Sequence, residues 1–279
     1  MVLNSYSKIN LTLSVNRKLK RRGVHEIQSY FCLINLSDKI KIKKIYKKKD
    51  QILFKGTFAK YIEKSNNSIG NILKLLRKYK LISNYYHVSV TKNIPTFGGL
   101  GGGTSNAASV LKYLLKGEIN KNIFNKIEKL VGSDLRLFFY KQGFLHNLKT
   151  VKTTKKQKKL TFLLSRPNIN CSTREIYSKV KKYSKKAKFS FYKINTKKKC
   201  IEFLLKNKNE LQSIVEKKYP AIKKLLSDIS VENGCYLSRM SGSGSVCYGL
   251  FSNERTAKKA LNKIKDKYPK FWFSIAKTV

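Results

Sequence analysis

Between residues 5 and 15 the side chains alternate. Tyr6, Lys8, Asn10, Thr12 and Ser14 stand on one side, and Ser7, Ile9, Leu11, Leu13 and Val15 on the other. A period of two predicts a half-buried strand, with Lys8 and Asn10 pointing the same way. A polar turn over 16–23 then leads through His25 to strand-like runs at 27–35 and 39–45, and 71–79 reads as a short helix. Residues 87–92 alternate again, as a strand that feeds the run Pro95-Thr96-Phe97-Gly98-Gly99-Leu100-Gly101-Gly102-Gly103-Thr104-Ser105-Asn106. Beyond it Ala107, Val110, Leu111, Leu114 and Leu115 recur at helical spacing, so a helix opens directly from the glycines, with Thr104, Ser105 and Asn106 as its expected cap. A further helix is expected over 122–131, ending at Gly132-Ser133-Asp134.

The later chain predicts strands at 160–165, 246–251 and 271–276. Helices are expected around 174–183, 201–205, 209–216, 221–229 and 254–265. Mixed helices and strands joined by short loops predict an α+β protein. Lysine tracts at 152–159, 181–188 and 197–199 bracket the start of a second half. The expected division is residues 1–155 and 156–279.

Five glycines in the six residues 98–103 let the backbone take positive φ and approach an anion closely, and the helix adds the free N–H groups of its first turn. The run therefore reads as a phosphate cradle. A Walker A loop is excluded because no Lys follows the glycines, and neither glycine frame completes Gly-x-Gly-x-x-Gly. A second loop, Ser238-Arg239-Met240-Ser241-Gly242-Ser243-Gly244-Ser245, lies just before a strand. By position, Asp134 is either a proton acceptor or a turn cap, and His25 either reads a base edge or caps a turn.

Composition narrows the picture less than it first suggests. The chain has 279 residues, 41% of them hydrophobic, with a net charge of +46. That charge invites a nucleic-acid reading. Only nine of the 61 basic residues are Arg, however, and the Lys are spread along the chain with abundant Asn, Ile, Tyr and Phe, the pattern of AT-rich coding. Weak RNA binding that falls steeply with salt follows either way, and no specific nucleic acid is expected. The five cysteines form no Cys-x-x-Cys pair, so neither a disulfide framework nor a zinc site is indicated and they read as buried apolar residues. With no 18-residue apolar run and no secretory signal in the first 15 residues, a cytoplasmic protein without a membrane span is expected.

Three segments in this order, residues 7–11, 95–108 and 240–245, together resemble the GHMP family of small-molecule kinases. The doubled Gly-Gly-Leu-Gly-Gly-Gly-Thr-Ser-Asn-Ala-Ala, Gly132-Ser133-Asp134 and the segment around His25 are closest to the branch that phosphorylates 4-diphosphocytidyl-2-C-methyl-D-erythritol. The resemblance implies an N-terminal domain like the second domain of ribosomal protein S5 and a C-terminal ferredoxin-like domain. It also implies transfer of the γ-phosphate of ATP to the substrate's 2-hydroxyl, with Mg2+ carried on the nucleotide phosphates and no protein metal site.

By position it assigns catalysis to Lys8 and Asp134 and ATP binding to Pro95, Gly98, Gly99, Leu100, Gly101, Gly102, Gly103, Thr104 and Ser105. Substrate contacts fall to Asn10, His25 and Tyr177, and support of the phosphate loop to Ser241, Gly242 and Gly244. A monomer or weak homodimer is expected. Val24 stands where the family usually has Tyr, Arg136 where it usually has Pro, and residues 144–147 lack the usual Gly-rich turn. The alternatives are a mevalonate-type or homoserine-type kinase, and an RNA-binding protein on an S5-like fold.

Overall fold

The computed structural model describes residues 1–19, 24–63, 65–116, 118–153 and 156–279. The chain forms two compact units that interleave in sequence. The first is Met1–Lys8, Leu36–Thr96 and Gly101–Phe139, and the second Ile9–Asn35, Phe97–Leu100 and Tyr140–Val279.

The first unit contains most of β1 (Leu3–Asn10), the C-terminal part of β3 (Val24–Ile45), β4 (Gln51–Lys55) and β5 (Tyr85–Thr91). In it β3 pairs antiparallel with β5, from Lys39 opposite Thr91 to Ile45 opposite Tyr85, and β4 pairs parallel with β5. Helices α1 (Ser68–Lys78), α2 (Gly102–Leu115) and α3 (Lys121–Val131) complete the unit, with a 3-10 turn at Leu135–Phe139. Each helix follows from its pattern. In α1 the Asn67 side chain accepts from Gly70 N–H, and Ile69, Ile72, Leu73 and Leu76 form one buried stripe at i, i+3, i+4 and i+7. In α3 Asn120 caps the first turn.

The second unit holds β2 (Ser14–Leu19), the first part of β3, β6 (Gln142–Asn147), β7 (Thr150–Lys152) and a four-stranded antiparallel sheet. That sheet comprises β8 (Thr161–Arg166), β9 (Cys235–Met240), β10 (Cys247–Phe251) and β11 (Trp272–Lys277), in the order β11-β8-β10-β9. Numbered from its first strand this is 4-1-3-2, the ferredoxin-like arrangement. Five helices accompany it: α4 (Thr173–Ser178), α5 (Lys197–Lys206), α6 (Gln212–Lys218), α7 (Pro220–Ser230) and α8 (Glu254–Lys267). Pro220 opens α7, where its missing N–H costs nothing, and Ile222, Leu225, Leu226 and Ile229 form its buried face.

Several sequence expectations need correction. Residues 5–15 are not one half-buried strand, because β1 ends at Asn10 and β2 begins at Ser14, and Ser7 to Leu13 are buried on both faces. The runs at 27–35 and 39–45 join into a single 22-residue strand, β3. Helix α4 stops at Ser178, short of the expected 183, and β4, β6, β7 and β9 were not anticipated. Among the cysteines, Cys32, Cys171, Cys200 and Cys247 are buried as expected and Cys235 is half-buried; all five are free thiols. Of the expected polar turn over 16–23, residues 20–23 lie outside the described residues.

Candidate active site

Within the first unit, the end of β1 delivers Lys8 and the turn after α3 delivers Asp134. The Lys8 ammonium stands 3.3 Å from Asp134 Oδ2, with side-chain exposures of 4% and 31%. A buried cation therefore faces a carboxylate that water and ligands reach. Asp134 also begins the 3-10 turn, its carbonyl accepting from Leu137 N–H at 3.0 Å, so the turn-cap reading and the chemical one are compatible.

Gly101 lies beside this pair. It takes φ +70, and a Cβ there would sit 2.8 Å from Phe138 Cζ and 3.4 Å from Lys8 Cε, so only glycine fits. Helix α2 starts one residue later, with Gly101 itself as the cap and no side-chain capping bond. The expected Thr-Ser-Asn cap is thus corrected: the cap falls three residues before Thr104, because Gly101 supplies the left-handed cap conformation. The first intrahelical bond runs from Ser105 N–H to Gly101 C=O at 2.8 Å, which leaves the N–H groups of Gly102, Gly103 and Thr104 outside the helical ladder. Free N–H groups at a helix start are suited to donate to an anion. Ser105 turns inward instead, its hydroxyl bonding Tyr6 C=O and Ser5. Pro95 is buried just before the loop.

A buried polar network lies under α2, and the sequence pattern gave no sign of it. Asp38, fully buried, pairs with Lys92 and accepts from Asn106 Nδ2 at 2.9 Å and from the backbone N–H groups of Asn93 and Ile94 at 2.7 and 2.9 Å. Lys92 also donates to Asn106 Oδ1 at 2.9 Å. Burial pushes the Lys92 ammonium down and the Asp38 charge works against that. The network ties β3, the strand-to-loop connection and the first turn of α2 into one rigid block.

The second unit carries the other half of the glycine run. Phe97 and Gly98 carbonyls accept from Ser245 and Val246 N–H, both at 3.2 Å, and Gly99 C=O accepts from Ser241 Oγ at 3.2 Å. Ser241 in turn accepts from Asn10 N–H at 3.3 Å, and Asn209 Nδ2 bonds the carbonyls of Met240 and Gly242 at 2.8 Å each. The loop around Ser241, Gly242 and Gly244 thus braces residues 97–99 by hydrogen bonds. Leu100 is buried in this unit. The Asn10 side chain is buried and its amide donates to Ser29 Oγ at 2.9 Å.

His25 is buried at the start of β3, with Tyr177 and Tyr183 beside it, ring centroids 5.0 and 6.2 Å away. Burial first, then the charge of Lys18, hold its imidazole below the usual range, so it is neutral at pH 7. Tyr183 escaped the sequence reading because it falls in a lysine tract. Its segment is fixed to the β2–β3 edge, with Ser184 N–H donating to Val15 C=O at 2.9 Å and Ala187 N–H to Gln28 Oε1 at 2.8 Å.

Also missed were Asn170, Ser172 and Thr173. With Phe97, Gly99 and Gly244 they line a cavity of about 390 Å³. Among the described residues, no three His, Cys, Asp or Glu side chains converge as a metal site, and no helix is long and apolar enough to cross a membrane.

The pH dependence of His25 follows from its environment. Its native pKa lies below the unfolded value of about 6.5, so the unfolded chain binds more protons in that window. Stability is therefore complete above pH 6.5 and falls as the pH drops below it. NMR titration of the three histidines should give His25 a midpoint under 6.5, and His25→Gln should flatten this part of the stability profile. A midpoint at or above 6.5 would contradict the buried, neutral imidazole.

Comparison with known proteins shows the family. Residues 67–133 match the model of the GHMP kinases N terminal domain and residues 195–270 that of the GHMP kinases C terminal. The chain is 35% identical over 284 residues to 4-diphosphocytidyl-2-C-methyl-D-erythritol kinase of Pelagibacter ubique (strain HTCC1062), covering 99% of this chain and 98% of the relative. It is 34% identical over 278 residues to the protein of the same name from Wolbachia pipientis wMel, covering 95% and 94%. A crystal structure of 4-(cytidine 5'-diphospho)-2C-methyl-D-erythritol kinase shares the fold, with a TM-score of 0.76, 20% identity and 99% of each chain covered. The chain belongs to the 4-diphosphocytidyl-2-C-methyl-D-erythritol kinase family, a branch of the GHMP kinases.

Proposed function

We propose that this protein transfers the γ-phosphate of ATP to the 2-hydroxyl of 4-diphosphocytidyl-2-C-methyl-D-erythritol, a step of the non-mevalonate route to isopentenyl diphosphate. The observation that carries the proposal is the Lys8–Asp134 pair beside Gly101, a carboxylate and a cation at the start of a helix whose first N–H groups lie outside the helical ladder. Phosphoryl transfer passes through a loose transition state with charge on peripheral oxygens, so donors and cations fixed in advance lower its barrier. In this reading Asp134 accepts or orients the hydroxyl proton, and Lys8 steadies the transferring group. Gly98 to Thr104 hold the ATP phosphates, and Ser105 acts by anchoring α2 rather than by touching the nucleotide.

Asn10, His25 and Tyr177 take the substrate, with neutral His25 offering one donor and one acceptor to a base edge. Magnesium arrives on the nucleotide phosphates, which supply the oxygen ligands it prefers. The division near residue 155 into an ATP-binding and a second family module, the monomeric or weakly dimeric state and the cytoplasmic location belong to the same proposal. An RNA-binding role would leave the cradle and the Lys8–Asp134 pair without a task.

The test is phosphorylation with Mg-ATP and, separately, the cytidylyl substrate, mevalonate or homoserine, followed by ADP release and by the phosphorus spectrum of the product. Turnover with the cytidylyl substrate alone is expected. Turnover with mevalonate or homoserine instead would reassign the substrate within the GHMP kinases.

The glycine loop makes its own prediction. Gly99 takes φ +72, and a Cβ there would lie 2.2 Å from Ser241 C=O, a backbone atom that cannot swing aside. Left-handed backbone costs a non-glycine residue about 1–2 kcal/mol. Gly99→Ala should therefore weaken binding of a non-hydrolysable ATP analogue about tenfold by calorimetry, since about 1.4 kcal/mol is a factor of ten. Unchanged affinity would mean that residues 97–100 do not shape the nucleotide site.

A further inference from the structure

Asp134 sits at the head of the 3-10 turn Leu135–Phe139, an element with poor hydrogen-bond geometry of its own. Two backbone bonds, Leu135 N–H to Gly132 C=O and Leu137 N–H to Asp134 C=O, both 3.0 Å, do not alone hold a side chain to a fraction of an ångström. Side chains of two helices reach the turn. From α3, the Glu128 carboxylate accepts both arms of the Arg136 fork, Nε at 3.0 Å and Nη2 at 2.6 Å, while Nη2 also donates to Asn125 Oδ1 at 3.0 Å. The guanidinium lies 5.1 Å over the Phe124 ring, and the two charged side chains are only 13% and 10% exposed. From α2, Lys112 donates to Phe138 C=O and its ammonium lies 4.9 Å from the Phe139 ring, while the Phe138 ring packs on Gly101. The carboxylate is therefore carried on a turn pinned to α3 on one side and to the phosphate-cradle helix on the other.

We infer that Arg136 is a positioning residue: its two-armed pair with Glu128 sets where Asp134 points, and so sets the rate of phosphoryl transfer without touching either substrate. The inference rests on the proposed role of Asp134. Arg136 stands two residues after Asp134, where the family usually has Pro, so a polar clamp replaces a stiff ring. The fork geometry matters. Two parallel bonds fix orientation where a single ammonium fixes only distance, and a misplacement of about 1 Å at a reacting group costs about 10²-fold in rate.

The test compares Arg136→Met, which keeps the aliphatic stem, Arg136→Lys, which keeps the charge and loses the fork, and the exchange Arg136→Glu with Glu128→Arg. Both single variants are expected to lose about tenfold in kcat per folded molecule with the KM for ATP and for the alcohol within about twofold. Amide hydrogen exchange at Leu135 and Leu137 should rise while that of Ile72 and Leu73 in α1 stays unchanged. The exchanged pair should regain most of the rate. A merely structural role would lower the folded fraction and leave kcat per folded molecule intact, and that result overturns the inference. So does an exchanged pair as slow as the single variants. Should Arg136→Met fail to fold, Arg136→Lys reads the same quantity. Asp134→Asn is measured in parallel. Full activity there overturns the role of Asp134 itself, whereas an inactive Asp134→Asn beside a fully active Arg136→Lys overturns only the positioning role.

Discussion

Asp134→Asn is expected to lower kcat by about 10² or more while the KM for ATP changes little, because general-base assistance contributes typically about 10² to 10⁴ in rate. The substitution keeps shape and hydrogen-bonding size and removes the negative charge that faces the Lys8 ammonium at 3.3 Å. An amide neither accepts the hydroxyl proton nor balances that cation. The cradle is built from the backbone of other residues and stays intact, so nucleotide binding survives. Equal losses in kcat and in kcat/KM would mark an interaction made only in the transition state. Steady-state kinetics with the cytidylyl substrate decide the matter, with calorimetry to confirm that the nucleotide still binds. An unchanged kcat would remove Asp134 from the mechanism and leave it as the cap of its turn.

Asp38→Ala should destabilise the first unit by about 3–5 kcal/mol, the usual cost of breaking a buried pair by removing one partner. The reason is local. Lys92 would be left in the interior without its counter-charge, and the Asn93 and Ile94 N–H groups would lose their acceptor. Burial already presses Lys92 toward its neutral form, and Asp38 opposes that. Removing both charges together in Asp38→Ala with Lys92→Met should recover much of the loss, since well-packed apolar replacements of buried pairs are often neutral or better. Urea unfolding followed by the fluorescence of several probes reads the effect. A loss under about 1 kcal/mol for Asp38→Ala would mean that water reaches Lys92 and that the network does not carry the first turn of α2.

Much of the site was legible because its chemistry depends on local spacing. The cradle declares itself through glycines at fixed offsets before a helical stripe, and β1 shows Lys8 and Asn10 on one face through its period of two. Helices α1, α3, α7 and α8 were visible for the same reason, as apolar stripes at helical spacing. The short strands β4, β6, β7 and β9 were not, since a strand gains its stability from its cross-strand partners rather than from its own pattern. The cap of α2 was misplaced because Thr104, Ser105 and Asn106 resemble a capping sequence. A left-handed Gly101 takes the position, and Ser105 and Asn106 turn into the interior.

What the amino-acid order determined by itself is the set of candidate groups: the glycine run, a lysine and an aspartate in family register, and the separate loop at 241–244. These are properties of residue type and short spacing, and they carry the family assignment with them. Tertiary structure alone decided that Lys8 meets Asp134, that a buried Asp38–Lys92 pair sits beneath the cradle helix, and that Arg136 closes on Glu128. Each joins charges from different segments in a poorly solvated interior. Their energies depend on burial and on distances of a few ångström, and neither quantity is written in the order of residues along a chain.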